Sequence, residues 1–422
     1  MTTYWAPLLH LYQPPTQDPD VLRRINRECY QPLFDVIKSH PNSKFSLNIN
    51  GVLIDLLKEY GMEDTIELLK EVYKEGKVEI LGTAKFHPIL PLIPEKEVER
   101  QIRLNEEVIR EEFGKDWKKT GFFCPEMAAS PDVLDIIHKF NYKWTVLSGI
   151  SCPNSWPYDK IYNSPNGLQL FFRDDILSNK ISFKKIKAKK FVKEIKTMFL
   201  PKENNEKDKN KKDNPDKEQL DKYVITAMDG ETFGHHIQDY EEDFLGNALS
   251  LISKADDLKL AFISNIESNF PTAQETIIPK KSSWSTSLED LENEVPYPLW
   301  KHPDNRIHKF YWKIMKNLNR LMELADGLKN SDDWGIKNHY QTARWFYDRS
   351  LHSCPLWWAN PLNGTWSPNL IYKGIELIMK AALNAQLALV NAGLDDGDAY
   401  FDSISYYHGL LLMEIYSVAK KL

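Results

Sequence analysis

The sequence predicts an α/β fold, with a parallel barrel-like sheet first and a C-terminal helical domain after it. Two observations carry this. Through the first part of the chain, short apolar runs alternate with segments of three- and four-residue apolar spacing. After about residue 300 the strand signals give way to long amphipathic helices. Strand followed by helix, repeated, implies right-handed crossovers and a parallel sheet. Seven strand-like runs within about 230 residues favour a barrel over an open sheet. The expected domains are residues 1–300 and 301–422.

The seven runs are Trp5–Leu11, Phe45–Ile49, Val78–Leu81, Gly121–Cys124, Trp144–Leu147, Leu168–Phe172 and Tyr223–Thr226. Helical spacing marks Val21–Ser39, Asp64–Lys74, Glu95–Phe113 and Pro131–Phe140 between them. Pro94 ahead of Glu95 and Glu97 sets acids at the positive end of a helix dipole, and Ser130-Pro131-Asp132 opens the next helix by the same logic. Gly61 and Gly76 punctuate helix ends. Residues 202–221 hold almost no apolar side chain and interleave Lys with Glu and Asp, the composition of a disordered, Lys-rich insertion before the last strand. The helical domain is expected from Ile307–Leu328, Trp334–His352, Ile371–Ala392 and Tyr400–Lys420. Between its second and third helices, Ser353-Cys354-Pro355-Leu356-Trp357-Trp358 breaks the pattern with two tryptophans, as a surface aimed at a neighbour or ligand would.

Residues at or just after parallel strand ends converge on one rim. That rule collects His10 with Tyr12 and Gln13, then Asn48, Asn50 and Gly51, then His87, then Glu126, and finally Asp229-Gly230-Glu231 with His235 and His236. Glu126 and Asp229 each closely follow an apolar strand. Paired carboxylates flanking a cleft are the machinery of glycoside hydrolysis, one as nucleophile or base and one as acid. The acid needs a raised pKa, and Glu231 is near enough in sequence to raise that of Asp229. The blander readings are an acidic helix-capping turn at Asp229 and an N-cap or salt-bridge glutamate at Glu126. A metal centre from His10, His87, His235, His236 and Asp229 is the competing chemistry, but no HxH or HxxxH pair occurs among them, so no metal or cofactor is expected.

Composition narrows the classes. A net charge of -6 and a pI near 6.0 give no pull toward nucleic acid or anionic membranes. Neither a signal peptide nor a membrane-spanning run is expected, and four scattered cysteines without a CxxC pair argue for a reducing, cytoplasmic setting. Aromatic residues reach 12%, and Trp156, Trp284, Trp300, Trp357, Trp358 and Trp366 have loop-like neighbours. Flat ring faces beside carboxylates and amides suit sugars, with packing beneath the barrel as the alternative.

The motifs together resemble glycoside hydrolase family 57. LHLYQPP (Leu9–Pro15), VEILGTAKFHPILPLI (Val78–Ile93), GFFCPEMAAS (Gly121–Ser130) and MDGETFGHH (Met228–His236) resemble that family's first four motifs, in order. SSWST (Ser282–Thr286) and Pro296–Trp300 resemble its continuation. Tyr12 stands where the family usually has a second histidine, and Phe123 where several members carry tryptophan. The resemblance implies an incomplete (β/α)7 barrel with a following helical domain, and a retaining enzyme on α-linked glucans or maltooligosaccharides. It assigns Glu126 as nucleophile and Asp229 as acid/base; His10, His87, Glu231, His236 and Trp284 are the expected substrate contacts beside them. A carbohydrate-binding or regulatory protein on the same scaffold, and a metal-dependent deacetylase or mannosidase on a related barrel, are the rival expectations.

Overall fold

A computed structural model describes residues 1–200 and 220–421. Strand β1 (Thr3–Leu11) is the axis of the first sheet. Along its whole length it pairs in parallel with β8 (Lys222–Asp229). On its other edge β9 (Leu258–Leu260) takes Thr3–Trp5, and β2 (Phe45–Ile49) takes Leu8–Leu11. β3 (Val78–Ile80) then pairs in parallel with β2. The second sheet runs β10-β6-β7-β5-β4, built from β4 (Gly121–Phe122), β5 (Trp144–Leu147), β6 (Ile161–Asn163), β7 (Gln169–Phe172) and β10 (Thr272–Thr276). All its pairings are parallel except β6 with β7.

Two seams join the sheets. A parallel bridge links Gly82 to Phe122, with Gly82 N–H on Gly121 O at 2.9 Å and Phe123 N–H on Gly82 O at 2.8 Å. At the other seam, Asp174 N–H donates to Ile225 O at 2.8 Å. Side chains alternate along a strand, so every second residue faces the same interior. Ala6 and Leu8 of β1, Tyr223, Ile225 and Ala227 of β8, Trp144 and Val146 of β5, and Phe171 of β7 form one dry cluster between the sheets. A larger cluster lies between the sheets and the outer helices.

Several expected elements fall where spacing put them. Phe45–Ile49, Trp144–Leu147 and the Glu95–Phe113 helix match to the residue. Gly61 and Gly76 take φ of 72° and 66°, the left-handed backbone that ends a helix. The single helix expected over Val21–Ser39 is corrected: Pro19–Ile25 and Gln31–Ser39 are helical, with a π-turn over Asn26–Tyr30 between them. The charged insertion expected over 202–221 lies, up to residue 219, outside the described residues.

Four long helices follow, Arg306–Asp326, Trp334–Ser350, Pro368–Asn391 and Asp398–Ala419. Three start at side-chain caps, Asn305, Asp333 and Ser367, which accept from backbone N–H groups of the first turn. Their shared core contains Trp300, Leu318, Met322, Tyr347, Ile375 and Leu411, and it takes in Ile89 and Ala128 from the earlier part of the chain. Buried ion pairs cross the same boundary. Arg344 donates to Glu97 at 2.7 Å, and Arg100 grips Asp348 with two bonds of 2.8 and 2.7 Å.

Candidate active site

The alternation that fills the interior also builds the site. On β1 the inward positions run Ala6, Leu8, His10; on β8 they run Tyr223, Ile225, Ala227, Asp229; on β7 Phe171 is followed by Arg173. Polar side chains therefore cap an apolar stack at the C-terminal ends of the strands. His10 lies beside Asn48 on one edge and Asp229 on the other by strand register.

His10 and His87 form a relay of defined tautomers. His10 Nδ1 lies 2.5 Å from Asn48 Oδ1, which only accepts, so the proton is on Nδ1. His10 Nε2 then accepts from His87 Nε2 at 3.0 Å, and His87 Nδ1 accepts from Ser353 Oγ at 2.9 Å. Burial drives both imidazoles toward the neutral form, as this relay requires. Tyr12 stacks on His87 at 3.9 Å between centroids and places its hydroxyl 3.4 Å from Cys354 Sγ. Ser353 N–H also holds His87 O at 3.1 Å, so the segment after the second long helix is locked to the strand rim.

Glu126 is delivered by a strained turn after β4. It has φ 58° and ψ 16°, and Met127 follows at φ 49°. Left-handed backbone in a residue with a Cβ costs about 1–2 kcal/mol, and such strain collects at functional positions. Trp284 fastens the turn twice: its N–H donates to Glu126 O at 3.1 Å and its indole Nε1–H to Glu126 Oε2 at 2.8 Å. His87 Nδ1 stands 3.9 Å from Glu126 Oε1.

Two carboxyls of different character share this cleft. Burial first, and the Asp229 charge second, push Glu126 up to about 8, against the opposing pull of the Trp284 bond. Burial raises Asp229 too, while His10 and Arg173 draw it back. A carboxyl pushed up to about 8 keeps its proton at neutral pH, so Glu126 is held neutral, and burial opposes ionisation of Asp229 as well.

Glu231 is electrostatically coupled to Asp229: burial first, and the Asp229 charge second, push it up to about 7. Its Oε1 accepts from Tyr30 O–H at 2.6 Å, Gln13 Nε2 at 3.2 Å and Tyr12 N–H at 3.3 Å. The π-turn supplies Tyr30, and Cys29 beside it donates to Gly230 O.

The cleft, of about 580 Å³, brings together His10, Glu126, Asp229, Glu231, His236 and Trp284 with Arg173, His352, Trp357 and Trp358. His87 is fully buried behind His10, bonded to it and to Ser353, and is not among the side chains that line the cleft. His235 turns away to Glu28 at 2.8 Å. Of the loop tryptophans, Trp300 is fully buried in the helical core, and Trp156 is tied to Gly149 O at 2.9 Å. Trp366 packs on the helical core, so none of these three lines the cleft.

Arg173 and His352 were missed. Arg173 is 4% exposed, fixed by Ala227 O, Asp175 and Asn179, and its guanidinium lies 5.9 Å over the Trp284 ring. It directly follows a strand run, so the strand-end rule applied to Leu168–Phe172 would have found it. His352 is buried with both ring nitrogens unpartnered, and burial takes it down to about 3. Its position at a helix end carried no such signal. Among the described residues no group of three or more His, Cys, Asp or Glu side chains could hold a metal ion. No described helix is long and apolar enough to cross a membrane.

Comparison with known proteins points one way. The model of glycosyl hydrolase family 57 matches residues 1–279. An α-amylase of Pyrococcus horikoshii is 24% identical over 325 residues, covering 74% of this chain and 46% of that protein. A 4-α-glucanotransferase of Thermococcus litoralis is 24% identical over 189 residues, covering 42% of this chain and 28% of that one. The chain thus aligns with less than half the length of either relative. The crystal structure of a GH57-type branching enzyme from Pyrococcus horikoshii superposes with a TM-score of 0.72 at 15% identity, covering 96% of this chain and 94% of that one, which shows a shared fold.

Proposed function

Because the chain belongs to glycosyl hydrolase family 57, we propose that it is an enzyme cleaving α-linked glucans with retention, passing the glycosyl unit to water or to another sugar. The observation that carries this reading is the meeting of Glu126 and Asp229 in one cleft, the first tied to Trp284 and the second drawn down by Arg173. The relatives named α-amylase and 4-α-glucanotransferase support the substrate class.

In this reading Glu126 attacks the anomeric carbon to give a glycosyl-enzyme. Asp229 protonates the leaving oxygen and later takes the proton of the incoming water or hydroxyl. The chemistry needs one proton on the pair, and the raised Glu126 carboxyl holds one at neutral pH. It must pass from Glu126 to Asp229 when substrate binds. The Trp284 bond favours ionised Glu126, and positive charge developing at the anomeric carbon pulls the same way. His10 lines the cleavage subsite with His87 positioning it from behind, while His236 and Trp284 border neighbouring positions. Glu231 serves substrate from within the wall by fixing Tyr12 and Gln13. Trp357 and Trp358 offer stacking faces along the cleft. The two sheets are read as an incomplete (β/α)7 barrel over residues 1–300, and residues 301–422 as a helical domain completing the cleft.

Glu126→Gln is the direct test. Turnover on maltooligosaccharides should fall by at least about a thousandfold, with glucan binding near that of the wild type in titration. A fully active variant sinks the assignment. Product analysis on amylose then separates transfer, which redistributes chain lengths, from hydrolysis, which only shortens them.

A further inference from the structure

The last helix, Asp398–Ala419, carries two apolar faces and uses one. Its inner side packs through Ile404, Leu411 and Ile415 into the helical core. On the opposite side, exposed residues recur as Asp402, Tyr406, Gly409, Met413, Tyr416 and Lys420, the last just beyond the helix end. Their separations of four, three, four, three and four residues are those of a coiled-coil seam. Tyr406 is 64% exposed, and Met413 and Tyr416 are each 70% exposed. Large side chains left in water on that spacing form a face with no partner inside the chain.

We propose that this face is the contact between two copies of the chain, packed antiparallel about a two-fold axis level with Leu411. Three features of the row select that partner. The row is self-complementary about its midpoint, as an isologous contact demands: Asp402 meets Lys420 of the second copy, Tyr406 lies level with Tyr416, and Met413 faces Gly409. The charges select the direction, since a parallel pair would set Asp402 on Asp402 and Lys420 on Lys420. Neither side chain has an ion-pair partner within the described chain. Sizes match as well, because a Cβ built at Gly409 finds open space within 4 Å, leaving a gap for the Met413 side chain of the other copy. In an antiparallel coiled coil the two kinds of seam position face each other, and every pair above joins one of each.

Light scattering and sedimentation of the full chain over a micromolar concentration series test this. The wild type is expected to be a dimer, and Met413→Glu a folded monomer whose thermal melt, unlike the wild type's, does not change with protein concentration. Asp402→Lys should raise the dissociation constant about tenfold or more, and Asp402→Lys with Lys420→Asp should restore it. A wild type that stays monomeric through the series overturns the proposal, as does a dimer indifferent to Met413→Glu. A double exchange no better than the single one overturns the antiparallel register.

Discussion

At the scale of the residue, the site is assembled at a cost to stability. Glu126 is folded into left-handed backbone with a carboxyl that prefers to stay protonated up to about 8. Its ordinary value is 4.5, so between the two the unfolded chain has released a proton that the folded chain retains. The folded state therefore loses stability as pH rises through that window, by at most about 1.4 kcal/mol per unit. Glu126→Gln removes this dependence while keeping the shape and the Trp284 acceptor. Its Tm should exceed the wild type's by a few degrees at pH 8 and differ little at pH 5, in calorimetry without ligand. An equal difference at both values would disprove the raised carboxyl.

At the scale of the element, turns aim the chemistry that strands deliver. After β8 the chain doubles back so closely that a Cβ at Gly234 (φ 107°) would lie 1.8 Å from Glu28 O, on the π-turn that presents Tyr30 to Glu231. Backbone meets backbone there, and neither can step aside. Gly234→Ala should cost more than about 2 kcal/mol in urea unfolding and lower activity by displacing Tyr30. A variant of unchanged stability would show the contact to be slack.

What was legible follows the same division. Helix spacing and apolar runs are local, and they located Glu95–Phe113, Phe45–Ile49 and the carboxylates after β4 and β8. The pairing of the largely exposed β10 with β6 and the bond from Trp284 to Glu126 are long-range, with no period in sequence. The π-turn was illegible because one extra residue in a helical turn leaves the apolar spacing almost intact. Trp300 misled because its Pro-rich neighbours look like loop while its ring is at the centre of the helical core.

At the scale of the whole molecule, the C-terminal helical layer is bolted to the Glu95–Phe113 helix by charge. Glu97 is fully buried, with burial raising its carboxyl and Arg344 only partly drawing it back. Removing one member leaves the other buried alone, which costs about 3–5 kcal/mol. Arg344→Ala should therefore lower Tm markedly, and Glu97→Gln with Arg344→Met should recover much of the loss. If the double variant melts no higher than the single, the cost arises from lost packing rather than from the stranded charge.

The Ser353–His87 contact has a different kind of consequence. One hydroxyl from the helical layer ends a line of bonds that begins at Asn48 and runs through His10 and His87. A gene fusion that exchanged the C-terminal helices for those of a relative would replace the group that ends this relay along with the scaffold. Descent in this lineage should then show position 353 and the His10–His87 pair changing together, and grafts that ignore the link arriving folded but idle.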